Sequence, residues 1–169
     1  MIWLPRRAFC MLTGLLALLS GTPARAELLG QVSPVALGGA PARVTLTSGP
    51  LLAARLRALP PGHKLFLVIR RMRATHPPSV LYNLFVDLDA GAAAPAAGDP
   101  RAVGTINFYA AVPPGDQAPT VSFDITKNLL ALAAKGRLAN GMSVTIAPME
   151  TPASEAGAVL GSVELVEES

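Results

Sequence analysis

The chain has 169 residues, a single cysteine and a formal charge of +3 at pH 7, and 51% of its residues are hydrophobic. A chain of this length can bury about two-thirds of its unfolded surface in one domain without disulfides or metals. The basic excess comes from three arginines within the first 26 residues, so the rest of the chain is formally neutral and nucleic-acid binding loses its main support.

The amino-terminal segment, residues 1–26, has the pattern of a secretory signal peptide. The basic stretch MIWLPRR precedes the apolar run AFCMLTGLLALL, and the small-residue site Ala24-Arg25-Ala26 follows, so cleavage is predicted after Ala26. A membrane span needs about 20 apolar residues, and neither this run nor any other segment approaches that length. We therefore expect a mature protein outside the cytoplasm, periplasmic or secreted, without a membrane span.

The same segment carries features of twin-arginine export. Arg6-Arg7-Ala8-Phe9 resembles the centre of that motif, while Pro5, Cys10 and Met11 differ from the residues that usually flank it. Arg25 near the cleavage site favours the same route, and an ordinary Sec signal with two arginines is the alternative. Cys10 has no small-residue cleavage site before it, which argues against a lipoprotein, and cleavage would leave a mature chain without cysteine.

The remainder of the chain is predicted to consist of short strands separated by proline and glycine. Residues 27–40 are expected to form a flexible amino-terminal segment and residues 41–169 a single β-sandwich domain. Period-two alternation predicts the strands Arg43–Thr47, Lys64–Arg73, Val80–Leu88, Ala102–Ala110, Thr120–Ile125, Ser143–Ala147 and Val159–Val166. The stretch Leu51–Leu59 fits either a strand or a helical turn, and Ala90–Pro100 reads as a loop of small residues.

The strand Val80–Leu88 and one helix define the predicted architecture. Every second residue of that strand is apolar, so Val80, Tyr82, Leu84, Val86 and Leu88 are expected to face a core. The helix is predicted to be capped by Thr126 and to end at Gly136. Together these elements predict an all-β fold, an antiparallel β-sandwich or jelly-roll-like barrel of about seven to eight strands with one short helix.

Catalytic chemistry finds little support in the residues. His63 and His76 lie in turns 13 residues apart and match no zinc or copper spacing, and Met72 lies in a predicted strand where core packing is the simpler interpretation. These three residues are the weak metal candidates. Asp87 and Asp89 form a carboxylate pair whose simpler interpretation is a solvated strand end. Without a nucleophile elbow or a phosphate loop, we predict a protein that is not an enzyme and has no cofactor of its own.

Charge is distributed unevenly along the chain. Arg70, Arg71 and Arg73 close a basic amino half, whereas the chain from Ala74 onward has four basic and ten acidic residues. Solvated strand faces explain this distribution, and the alternative is a patch that docks on an acidic partner surface.

Five stretches in chain order resemble the C-terminal domain of polyphenol oxidases and bacterial tyrosinases. They are Tyr82–Val86, Gly104–Phe108, Phe123–Thr126, Val144–Pro148 and the last strand, Val159–Val166. They resemble, respectively, that family's FDVY-type strand, its GT/GS-hydrophobic strand, its FDVT-type strand before a short helix, its VTxxP strand and its final hydrophobic strand. The resemblance covers about Leu65 to Val166.

The resemblance implies a sandwich that packs over a dicopper catalytic domain, shields its entrance and supports its maturation or latency. The histidine-rich copper domain is not found in these 169 residues. The resemblance therefore implies an accessory subunit of a separately encoded tyrosinase-like type-3 copper oxidase, with copper only in that partner. Small exported helper proteins of bacterial tyrosinases have an analogous role.

In that family a side chain projects into the active-site mouth. Tyr82, Phe108 and Tyr109 are the shielding candidates by residue type, and core packing is the alternative for each of them because all lie in predicted strands. A second hypothesis for the whole protein is a self-sufficient extracytoplasmic module that binds a small ligand, a carbohydrate or copper. A structural envelope protein is the third.

Overall fold

The computed structural model describes residues 25–47, 49–89, 91–93, 95, 98–111, 118–152 and 156–169. The predicted signal peptide lies outside the described residues except for Arg25 and Ala26, and so do parts of the predicted loop Ala90–Pro100. Within the described ranges, no helix is long and apolar enough to cross a membrane.

Two four-stranded antiparallel sheets form a sandwich from the described residues, which confirms the predicted all-β fold. Sheet 1 consists, in spatial order, of β1 (Ala26–Val32), β10 (Ser162–Glu168), β4 (Lys64–Arg70) and β7 (Val121–Asp124). Sheet 2 consists of β3 (Ala42–Thr47), β8 (Met142–Pro148), β5 (Tyr82–Val86) and β6 (Ala102–Ile106). A short ribbon pairs β2 (Val35–Ala36) with β9 (Val159–Leu160).

The hydrophobic core lies between the two sheets because alternate residues of their central strands point inward. Leu84 of β5, Val144 and Ile146 of β8, and Leu67 and Leu165 of sheet 1 are all completely buried. The inward side predicted for β5 is therefore confirmed at Tyr82, Leu84 and Val86, and Val80 packs against the same core. The prediction is wrong for Leu88, which follows the strand break at Asp87 and lines a cavity on the outer face of sheet 2 instead. Regular alternation makes this burial possible, since successive strand side chains point to opposite faces.

Two helices and two 3₁₀ turns complete the described elements. The ambiguous stretch before His63 forms α1 (Gly49–Arg57), and the predicted helix forms α2 (Thr126–Ala134). Short 3₁₀ turns cover Tyr109–Ala111 and Arg137–Asn140. The second turn follows Gly136, whose φ of +69° ends α2 as the sequence predicts.

The predicted capping role of Thr126 is wrong. Thr126 is the first helical residue, and the preceding residue, Ile125, occupies the cap position without a side-chain hydrogen bond. The Thr126 hydroxyl instead accepts from the Leu65 backbone N–H at 2.9 Å and donates to Asp124 Oδ1 at 2.7 Å. This side chain therefore ties the start of α2 to β4, a long-range role that a local capping pattern does not reveal.

The prediction of a flexible segment over residues 27–40 is also wrong. Most of it forms β1 and β2, and β1 pairs with β10 along the edge of sheet 1. The register shifts between Leu28 and Gly30, and this bulge interrupts the alternation that would have marked a strand. Leu29 and Val32 pack against the core, so non-local pairing and burial order this segment.

Several predicted strands end earlier than the sequence suggests. β4 stops at Arg70 because Arg71 adopts a φ of +53°, and β5 stops at Val86 because Asp87 adopts a φ of +51°. The stretch Ala102–Ala110 leaves the sheet after Ile106. The breaks after Arg70 and Ile106 re-aim the chain at the end of the sandwich where the surface described below is formed.

Gly104 allows the edge strands of the two sheets to approach each other. A Cβ atom at this position would lie 2.6 Å from Cε1 of Phe123 on β7. We expect Gly104→Val to lower the free energy of unfolding by about 2 kcal/mol, because the ring must be displaced. Urea denaturation measures the loss, and Gly38→Val, where a Cβ would meet nothing within 4 Å, is the matched control. Equal losses in the two variants would contradict this account.

Candidate docking surface at one end of the sandwich

Two of the three shielding candidates are core residues. Tyr82 and Phe108 are each only 1% exposed, and their rings meet edge to face with centroids 5.7 Å apart. Burial raises the pKa of Tyr82, whose hydroxyl has no hydrogen-bond partner among the described residues. Neither side chain can project from the surface, so their selection as shielding residues is corrected: the strand pattern places both in the interior.

Tyr109 has the opposite environment. It lies on a 3₁₀ turn rather than in the predicted strand, and 74% of its surface is exposed. Its backbone N–H donates to Asn107 Oδ1 at 3.2 Å, and Ala111 N–H donates to the Phe108 carbonyl at 3.0 Å. Because Phe108 is fixed in the core, the turn directs the next side chain outward on a backbone that is already ordered.

Two further exposed apolar residues lie at the same end of sheet 2. Leu81 and Met149 are 39% and 55% exposed, and the Met149 N–H donates to the Leu81 carbonyl at 2.9 Å. The strand register places neighbouring Tyr82 opposite both Pro148 and Ile106, the last residue of β6 before the turn that carries Tyr109. We call Leu81, Tyr109 and Met149 together the docking surface.

The sequence pointed to only one member of this surface. Leu81 could have been found, since it is one of two apolar residues, with Phe85, on the side of the alternating strand Val80–Leu88 that also carries Asn83 and Asp87. Single exposed apolar residues are ordinary on protein surfaces, whereas a group of them at one place is typical of an interaction site. Their placement at one end of sheet 2 depends on the register of β5 with both β8 and β6, which is a property of the folded chain.

The arginines of the predicted docking patch are all exposed, but they are not equivalent. Arg70 Nε donates to Glu164 Oε2 at 2.8 Å, so its charge is balanced within sheet 1. Burial of the Glu164 carboxyl opposes ionisation, yet hydrogen bonds from Arg70 and Ser162 outweigh it and lower the pKa of Glu164. The Arg70 side chain therefore forms an ion pair between β4 and β10 within sheet 1.

Arg71 and Arg73 follow directly after β4 and border the docking surface. In the part of the chain that the structure describes, neither guanidinium forms an ion pair with a carboxylate. Ala74 N–H donates to the Ala111 carbonyl at 3.3 Å, which joins this segment to the turn that carries Tyr109. Two exposed positive charges therefore follow β4 in the segment that is joined to the Tyr109 turn, and that of Arg71 also interacts over a longer distance with the Glu164 carboxylate.

The weak metal candidates are not brought together into a recognisable site. Met72 is 1% exposed within the core, which corrects its selection, and His63 Nδ1 lies 2.7 Å from Glu167 Oε1. His76 is exposed in the loop after β4. Over the described ranges, no group of three or more His, Cys, Asp or Glu side chains is placed to hold a metal ion.

The carboxylate pair at the end of β5 is bound by an arginine that the sequence did not suggest. Arg137 Nε donates to Asp87 Oδ2 at 2.8 Å, and its Nη2 donates to both carboxylate oxygens of Asp89 at 3.0 Å. The side chain comes from the 3₁₀ turn after α2, 50 residues along the chain from Asp87. The pair therefore has an ionic partner within the protein, which accounts for it without a cation.

The fold and the surface define an antiparallel β-sandwich with an exposed aromatic docking end. No protein-family model matches the chain, and no curated protein matches it. Three solved structures of latent aurone synthase (polyphenol oxidase) are similar to it. The first structure, of the recombinantly expressed protein, has a TM-score of 0.47 and 16% identity, and the match covers 79% of this chain and 25% of that one.

A second, co-crystallised with hexatungstotellurate(VI), has a TM-score of 0.44 and 17% identity over 80% of this chain and 27% of its own length. The third, of the protein from its natural source, has a TM-score of 0.39 and 17% identity, and the match covers 82% of this chain and 24% of that one. The chain thus spans about a quarter of the length of each of these proteins.

Proposed function

We propose that this protein is a non-catalytic accessory subunit that covers the active-site entrance of a tyrosinase-like type-3 copper oxidase and controls its latency or maturation. The observation that carries the proposal is the 74% exposure of Tyr109 on an anchored turn at the docking surface. The five motifs described above supply the class of partner. Copper would be bound by that partner and not by this chain.

The geometry of Tyr109 suits insertion into a concave partner. Its turn is anchored through buried Phe108 and through hydrogen bonds to Asn107 and from Ala74, so little backbone ordering remains to be done on binding. Tyrosine is among the residues that most often dominate binding energy at protein interfaces. Arg71 and Arg73 beside it would steer the surface toward an acidic rim around the entrance.

Export belongs to the same proposal. The signal-peptide pattern would carry the protein out of the cytoplasm, and a twin-arginine route would allow a folded copper enzyme without its own signal to travel with it. Edman sequencing of the protein from the periplasm or medium is expected to begin at Glu27. A protein retained in the cytoplasm with its first 26 residues would contradict this part.

Replacing Tyr109 with alanine is expected to weaken the complex with the partner enzyme by about 30-fold, the loss typical of a dominant interface residue. The same change should raise the phenol-oxidising activity of the latent enzyme, because the entrance is no longer filled. The partner to be tested is a histidine-rich dicopper protein found in a neighbouring reading frame, with calorimetry to measure its affinity and oxygen uptake to measure its activity.

Two matched variants control this experiment. Tyr109→Phe keeps the ring and should retain most of the affinity. Leu130→Ala removes an apolar side chain that is 44% exposed on α2, at the opposite end of the sandwich, and should change nothing. Unchanged affinity of Tyr109→Ala would reject the docking surface, and failure to co-purify with any dicopper enzyme would overturn the proposed function itself.

A further inference from the structure

The outer face of sheet 2, which points away from the core, carries a cavity of about 480 Å³. Its lining includes Pro41, Arg43, Phe85, Leu88, Thr145 and Ala147. The volume lies within the range of about 300 to 1,000 Å³ found for small-molecule sites, and the lining is mostly apolar with few polar groups, as in such sites. This cavity is independent of the docking surface.

Three of these residues form one row across three adjacent strands. The strand register pairs Arg43 of β3 with Thr145 of β8, and Thr145 in turn with Phe85 of β5. Residues paired in this way point to the same face, and neighbouring strands lie about 4.8 Å apart, so the row spans roughly 10 Å. A cation, a hydroxyl and an aromatic ring thus follow one another over the length of a small organic molecule.

Thr145 is the unusual member of the row. It is only 6% exposed, and its Oγ1 has no hydrogen-bond partner among the described residues. A buried hydroxyl without a partner destabilises the folded state, and most buried polar groups are therefore paired. An isosteric valine would avoid this cost, so the hydroxyl at the wall of a cavity points to a ligand that satisfies it.

Arg43 supplies the positive end of the row. Its Nη2 donates to Ser143 Oγ at 3.2 Å, and in the described ranges no carboxylate lies within ion-pair distance of it. Asp89 also lines the cavity, but both of its carboxylate oxygens accept from Arg137 at 3.0 Å. The remaining donors of Arg43 are therefore open to an acceptor inside the cavity.

We propose that this cavity binds a small organic monocarboxylate with an aromatic body. The carboxylate accepts hydrogen bonds from Arg43 and from the Thr145 hydroxyl, which are neighbours across the two strands. The body lies against the apolar residues Phe85, Leu88 and Pro41 of the lining. Planar walls of this kind suit a ring, and a guanidinium suits a carboxylate.

The test is a titration of the ¹⁵N-labelled protein with benzoate and phenylacetate, followed by amide chemical shifts. Saturable shifts are expected at Arg43, Phe85 and Thr145 with millimolar or tighter dissociation constants. The neutral amides of the same acids should bind at least about 10-fold more weakly, because they lack the charge that pairs with Arg43.

Variants locate the site. Arg43→Gln should weaken binding by about 10-fold and Thr145→Val by about 5-fold, as expected for a charged and a neutral hydrogen bond. Arg57→Gln, at an exposed arginine on α1 with no proposed role, should leave binding unchanged. Thr145→Val should also raise Tm by about 2 °C, since it removes an unpaired buried hydroxyl.

The change in Tm separates a ligand-binding role from a structural one, because a structural hydroxyl would lower Tm when removed. No saturable shift at 20 mM (about 20-fold above a dissociation constant of 1 mM), equal binding of acid and amide, or binding that survives both Arg43→Gln and Thr145→Val would each overturn the proposal. Tighter binding of a peptide ending in phenylalanine than of any free acid would overturn the assignment to a small molecule.

Discussion

Replacement of Leu84 by alanine is expected to lower the free energy of unfolding by about 3 kcal/mol, the typical cost of removing a fully buried leucine side chain. Leu84 is completely buried in β5, between β8 and β6 in sheet 2 and against the core of sheet 1. The neighbouring strands are held by their own pairing and cannot close the cavity. Urea denaturation monitored by circular dichroism measures the change.

Leu81 is the matched control for this prediction, because it is the same residue type directly before the same strand. It is 39% exposed, and Leu81→Ala should change stability by less than about 0.5 kcal/mol. Comparison of the two variants also distinguishes an effect on stability from an effect on partner binding, since Leu81→Ala is expected to weaken partner binding without unfolding the protein. Similar losses of stability in both variants would contradict the placement of the core.

Glu167→Gln is expected to lower stability at pH 7 by about 2 kcal/mol, because charged hydrogen bonds to a buried carboxylate are lost. Glu167 lies on β10 and is 3% exposed in its side chain. It accepts hydrogen bonds from Arg55 of α1 and from His63 Nδ1, the latter at 2.7 Å, and Arg55 also pairs with Glu27 of β1. The carboxylate therefore joins β10 to α1, and Arg55 extends this link to β1.

The pH dependence of this difference follows from the pKa of Glu167. Burial tends to raise it, but hydrogen bonds from His63 and Arg55 outweigh burial, and the pKa lies below its ordinary value of 4.5. Because the pKa of Glu167 is lower in the folded state than in the unfolded state, its ionised carboxylate stabilises the protein at pH values above the ordinary pKa. This contribution is lost as the pH falls through the lowered pKa of the folded state. The difference between the wild type and Glu167→Gln should therefore be full at pH 7 and shrink below about pH 4.5.

Unfolding measurements on both proteins between pH 7 and pH 3 test this expectation. Comparison with the variant removes the contributions of other carboxyls, including Glu164 and Asp124, whose pKa values are also lowered. Glu150→Gln, at an exposed position after β8, is the matched control and should follow the wild type at every pH. A difference for Glu167→Gln that stays constant with pH would show that its loss comes from packing rather than charge.

At the docking surface, the alternation of apolar residues predicted which side chains are buried but not where the strands end. Alternation predicted that Tyr82 would be inside, and the same periodicity applied to Ala102–Ala110 wrongly placed Tyr109 in a strand. A strand prediction carries no information on where pairing stops, because that depends on the partner strand. Here β6 loses its partner after Ile106, opposite the first residue of β5, and the chain turns.

The lining of the cavity on sheet 2 could not be predicted from local sequence patterns either. Phe85 lies on the side of β5 opposite the core residue Leu84, yet it is only 4% exposed. It is covered because Thr145 of β8 lies beside it and Leu88 belongs to the chain that follows β5 across this face. The row of Arg43, Thr145 and Phe85 exists only through the register of three strands that are far apart in sequence.

The sequence by itself determined the all-β class, the inward side of β5, the helix after β7 and its end at Gly136, because each depends on residues close together in the chain. Only the tertiary structure decided that residues 26–32 form β1, that Thr126 contacts β4, and that Tyr109 is exposed on the turn after β6. Those outcomes depend on backbone pairing and burial between distant segments, and local periodicity does not encode the choice of partner.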